Sequence, residues 1–193
     1  MKLGKTILVV VGASVLLAAL VGAASAGRLS TTSLAVSATW RSLNYRGGLG
    51  TVECEVIVNG SFHERTIAKT NGALSGFITA ANITRCPRGG ATVLRETLPW
   101  HVQYSSFAGT LPSIGSIQAR LIGLSFRISE PVFGVGCLSR STTGEPAFVT
   151  FNRNTATGVV SSATASGSIR CGEVNGVVEG TTSSLTAFTV TLI

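Results

Sequence analysis

Aspartate does not occur anywhere in this chain of 193 residues. Calcium loops built on alternating Asp, paired-Asp catalytic sites and a Ser-His-Asp triad are thereby excluded. Histidine is scarce, with only His63 and His101, so acid-base chemistry or metal ligation would have to draw on those two and on eight glutamates. No Cys-x-x-Cys pair occurs among the four cysteines, and neither histidine stands at ligand spacing from one, which argues against zinc. No metal and no cofactor is expected. Lysine is scarce too: Lys2, Lys5 and Lys69 stand against twelve arginines.

Apolar runs long enough to span a membrane are also missing after the first residues. Lys2 and Lys5, the apolar run Ile7 to Val21 and the small-x-small signal Ala24-Ser25-Ala26 describe a helical secretory signal peptide over residues 1–26. That run falls short of the ~20 residues a spanning helix needs. The first cysteine, Cys54, comes too late for lipoprotein processing. Residues 27–193 are therefore expected to be secreted or envelope-associated, without a transmembrane segment, and to form a single domain long enough to bury a core.

Beyond the signal peptide, 13 basic residues face 8 acidic ones. The twelve arginines, from Arg28 to Arg170, are strewn along the chain, with a weak cluster only in TRCPRGGATVLRE, from Arg85 to Arg95. A nucleic-acid binder concentrates its basic residues and interleaves aromatics, so no nucleic-acid partner is expected. A solvated basic surface is the plain reading, and attraction to an anionic envelope polymer is the functional one.

In an exported protein, Cys54, Cys86, Cys137 and Cys171 read as two disulfides. Intervals of 32 and 34 residues favour Cys54-Cys86 with Cys137-Cys171, each half of the chain closing its own loop, among three possible connectivities. Helical periodicity is nearly absent, while alternating segments rich in Val, Ile, Thr and Phe recur between Gly, Pro, Asn and Ser. Strands are expected near residues 33–44, 51–58, 61–70, 73–85, 91–98, 101–109, 116–129, 134–141, 147–152, 158–162, 166–171, 176–179 and 184–192. The Ser-, Thr-, Ala- and Gly-rich stretch Asn154 to Ser168 reads as a loop or a thin edge strand. The fold class is all-β: an antiparallel β-sandwich or β-barrel stapled by two disulfides.

Within TVECEVIVNGSFHERTI, Asn59-Gly60 is a strong signal for a tight hairpin, which would set Val56 against Phe62, Glu53 against Arg65 and Glu55 against His63. His63 then belongs to a surface pair. A His-Glu-x-x-His zinc site fails because Ile67 occupies the fourth position after His63. LPWHVQYSSF is more suggestive. Trp100, His101 and Tyr104, with Arg95 upstream, are side chains that stack on sugar rings or anchor a partner, and they are the candidate binding residues. Trp100 can equally be a core plug. Glu96 or Glu64 with His101 would be the acid-base pair of a hydrolase only if both faced one cleft. No Gly-x-Ser-x-Gly elbow follows the signal peptide, and GVGCLS lacks the third glycine of a dinucleotide loop.

HERTIAKTNGALSGFITAANITRC, ATVLRETLPWHVQYSSFAGTLPSI, ARLIGLSFRI, GVGCLSRST and LTAFTVTLI resemble uncharacterised exported all-β proteins of high-GC Gram-positive bacteria. The resemblance implies a secreted, disulfide-bearing β-domain and transfers no catalytic residue, ligand or partner. The expected role is a non-catalytic, envelope-associated or extracellular one. The alternatives are a polysaccharide-binding module using Trp100 and Tyr104, and a Glu/His hydrolase.

Overall fold

The computed structural model describes residues 28–47, 50–110, 113–129, 136–171 and 174–193, the side chains of 169–171 and 174 excepted. The expected signal peptide lies outside these residues. Fifteen strands follow one another: β1 (Arg28–Thr31), β2 (Ala35–Gly47), β3 (Gly50–Phe62), β4 (Thr66–Ala68), β5 (Leu74–Arg88), β6 (Gly90–Val93), β7 (Trp100–Thr110), β8 (Ser113–Ile122), β9 (Ser125–Ser129), β10 (Gly136–Arg140), β11 (Ala147–Arg153), β12 (Val159–Cys171), β13 (Val174–Thr181), β14 (Ser184–Leu185) and β15 (Phe188–Leu192). Among the described residues one 3-10 turn, Arg95–Thr97, interrupts them.

Eight of these strands close on themselves. The ladder β2-β3-β5-β7-β8-β11-β12-β13 returns to β2, and every pairing in it is antiparallel. Spatial order equals sequence order, so the chain winds up and down around a barrel rather than splitting into two sandwich sheets. Closure gives each of the eight strands a partner on both sides. The shorter strands serve the ends. β15, β1 and β4 continue from the first residues of β12, and β6, β9 and β10 form a separate three-stranded sheet.

Alternation decides what faces inward. On β3 the even-numbered Val52, Cys54 and Val56 are buried, and on β8 the odd-numbered Ile117, Ala119 and Leu121 are buried. The main core runs through the barrel to Val93, Phe126 and Ile128 of the three-stranded sheet. A second cluster joins Leu29, Ile67, Tyr104, Ile114, Val160, Phe188 and Val190 beneath β15-β1-β4. Phe188 packs edge-on against Phe62 (5.3 Å) and Phe151 (5.8 Å) there. Arg153 latches this end: its Nε donates to the Val190 carbonyl (2.9 Å) and its guanidinium to the Ile114 carbonyl (2.8 Å).

Several expectations need correction. The Asn59-Gly60 hairpin does not form; β3 runs straight through it, and neither residue has positive φ. A Cβ on Gly60 would lie 2.5 Å from the Phe77 carbonyl, so glycine is needed for close approach to β5, at a register shift. The turn falls instead at Asn71-Gly72, where Gly72 has φ 83°. Glu53 and Glu55 accordingly face Arg88 and Arg85, not Arg65 and His63. Residues 116–129 break into β8 and β9 at Gly123 (φ 86°). The stretch Asn154 to Ser168 supplies most of β12, a strand paired on both sides. Of its small residues, Ala163 and Ala165 point into the barrel, where Ala163 is fully buried.

Cys54 and Cys86 form a disulfide joining β3 to β5. Cys137 is also disulfide-bonded; its expected pairing with Cys171 lies outside the described residues.

Candidate functional site

The four residues singled out in and before LPWHVQYSSF are not brought together. Strand β7 opposes Ile78 with Trp100 and Phe77 with His101, so these neighbours point to opposite sides of the wall. Trp100 is inside with no exposed surface, packs edge-on against Phe126 (5.5 Å), and donates its indole N–H to Thr97 Oγ1 (2.8 Å). Thr97 in turn donates to the Leu94 carbonyl, so the 3-10 turn supplies the acceptor for the one polar atom of the plug. Tyr104 is buried in the second cluster. A sugar ring has no access to either face, which corrects the Trp100–Tyr104 platform. The platform expectation fails because alternation places both inside and a closed barrel covers them.

Arg95 and His101 are exposed. Arg95 donates to Asn82 Oδ1 (3.4 Å). On the outer wall His101 and His63 flank Phe77 edge-on, at 5.5 and 6.1 Å between ring centres. Among the described residues no group of three His, Cys, Asp or Glu side chains is arranged to hold a metal ion.

A concave feature among the described residues lies inside the barrel. A cavity of about 100 Å³ runs through the barrel between β2, β3, β5, β7, β8, β11, β12 and β13. Val58, Phe62, Val102, Leu121, Val149 and Ala165 are among its walls, and only apolar atoms are exposed to it. No Glu or His lines it, so neither Glu96 nor Glu64 shares it with His101. Eight strands give a barrel whose interior is either just filled by side chains or just large enough for one small ligand. Here the inward small residues Ala147 and Ala165, and Gly60 and Gly76, leave part of it unfilled. The lining is wholly apolar, and enclosed apolar cavities of ~150 Å³ accept benzene or xenon.

One polar atom near this space lacks a partner. The Tyr45 hydroxyl is buried and unbonded, and its ring packs edge-on against Phe126, a cavity wall, at 5.7 Å. Burial pushes its ionisation far above the ordinary tyrosine range. Tyr104 is shifted the same way by burial.

Alternation in VECEVIV and AFVTF announced the walls, but nothing in the sequence announced that they enclose a space. That depends on the distance between strands far apart in the chain. No family model, curated protein or solved structure matches this chain.

Proposed function

We propose that this chain is an exported, non-catalytic β-barrel that holds a small hydrocarbon group in its interior. The wholly apolar cavity carries this reading. A guest gains by leaving water, at roughly 25 cal/mol per Å² of apolar surface, without stripping any wall group of a hydrogen bond. With no ionisable side chain in contact, the cavity favours retention over reaction. A short alkyl chain or a single ring matches the volume. Export follows from the signal peptide read in residues 1–26, and the Cys54–Cys86 bridge suits an oxidising compartment. A second bridge between Cys137 and Cys171 belongs to the same proposal.

Thermal unfolding with benzene and with n-hexane tests the reading. Saturating guest raises the midpoint, because a ligand that binds only the folded state stabilises it by RT ln(1 + [L]/Kd). Ala165→Phe fills the cavity and removes that response. If neither hydrocarbon shifts the midpoint of the native protein, the carrier reading fails.

A further inference from the structure

The three-stranded sheet brings Arg127 of β9 and Arg140 of β10 to β6, the strand flanked by Arg88 and Arg95 of the TRCPRGGATVLRE cluster. Arg127 lies on β9 in register with Thr92 of β6 and Leu138 of β10. Its neighbours Phe126 and Ile128 are buried on the other face, so Arg127 stands on the outer one. Arg140, opposite Ser125, donates from Nε to the Ser125 hydroxyl (3.3 Å). The Ser125 carbonyl accepts from the Leu94 N–H, and the chain continues directly into Arg95. Arg88 ends β5 beside the Gly89-Gly90 step into β6. All four arginines are exposed.

Arg46 pairs with Glu179 (3.0 Å) and Arg85 with Glu55 (3.3 Å), but among the described residues Arg88, Arg95, Arg127 and Arg140 make no ion pair. Glu53 faces Arg88 in the ladder, yet its carboxylate accepts from the Ser42 hydroxyl (2.7 Å). Glu96 is the single described carboxylate on β6, the 3-10 turn, β9 or β10.

We propose that this face docks a linear polymer of repeating phosphate groups. Charge complementarity carries the assignment, and the planar guanidinium fork matches phosphate oxygens two at a time. Among the described residues of β6, β9 and β10, Leu138 is the only exposed large hydrophobic, which offers little apolar area for insertion into a bilayer. Among the described residues no exposed aromatic stands on β6, the 3-10 turn, β9 or β10 to stack on bases. The site is independent of the interior cavity.

Titration of the oxidised protein with inorganic polyphosphate over a series of KCl concentrations tests it. The double variant Arg127→Gln/Arg140→Gln loses about tenfold in affinity, and its slope of log K against log salt falls by about 1.4, from ~0.7 per lost contact on a single-stranded polyanion. Arg28→Gln/Arg41→Gln removes the same charge from β1 and β2 and changes affinity by less than about threefold. Thermal midpoints establish that both doubles fold. Equal losses in the two doubles, no binding to polyphosphate, or binding to phosphatidylglycerol vesicles without binding to polyphosphate would each overturn the assignment.

Discussion

The barrel interior and the outer face of the β6-β9-β10 sheet share Phe126 as a boundary but follow opposite chemistry. Inward from Phe126 the cavity exposes no polar atom. Outward from it, Arg127 of β9 and Arg140 of β10 are exposed and make no ion pair among the described residues. One strand serves both because adjacent residues point to opposite faces. The difference teaches where each kind of free energy resides: inside, in packing that a single truncation disrupts; outside, in charge that salt screens and that contributes little to folding.

The largest test of that contrast is Trp100→Ala. Removing a fully buried indole costs about 3–5 kcal/mol, read as a lowered midpoint in denaturant. A surface platform would lose almost nothing, so an unchanged midpoint would break the interior half of the comparison. Reducing or deleting the Cys54–Cys86 bridge, which closes a loop of sequence separation 32, costs about 3–4 kcal/mol on the chain-entropy account, seen by unfolding with and without reductant. Ala165→Phe changes stability by no more than about 1–3 kcal/mol while abolishing hydrocarbon binding; a greater loss would mean that the cavity is already full.

Tyr45→Phe sharpens the picture further, since it removes a buried hydroxyl with no partner and should raise stability by about 1 kcal/mol. It also has a pH signature. The folded state holds the Tyr45 proton more tightly than the unfolded chain, whose tyrosine ionises near pH ~10. Stability from this group is complete below that pH and declines as pH rises above it. Tyr45→Phe removes its share of the alkaline decline, and equilibrium unfolding from pH 8 to about 11 measures it. The smallest effect belongs to the outer wall. His101→Ala, next door to Trp100 but exposed, should stay within about 0.5 kcal/mol of the native midpoint.

Much of the fold was legible locally. The alternation of VECEVIV, with its buried Val52, Cys54 and Val56, marks a half-buried strand whatever its neighbours. Asn59-Gly60 shows where local signals fail: the same dipeptide makes a turn at Asn71-Gly72 but lies within a strand here, because β5 approaches Gly60 too closely for any side chain. Asn154 to Ser168 looked thin because its strand signal is weak in Ser, Thr, Ala and Gly. Pairing with β11 on one side and β13 on the other supplied what propensity did not. Of the candidate binding residues, His101 and Arg95 reached the surface, and Trp100 and Tyr104 did not.

By itself the sequence determined the all-β class, the alternation of each strand and the exclusion of aspartate-based chemistry, since composition and a period of two are local properties. Only the tertiary structure decided that eight strands close into a barrel, that their walls leave a cavity, and that Arg127 and Arg140 share a small sheet with β6, the strand between Arg88 and Arg95. Closure, void and convergence depend on distances between residues remote in the chain, and those are fixed by packing rather than by neighbours.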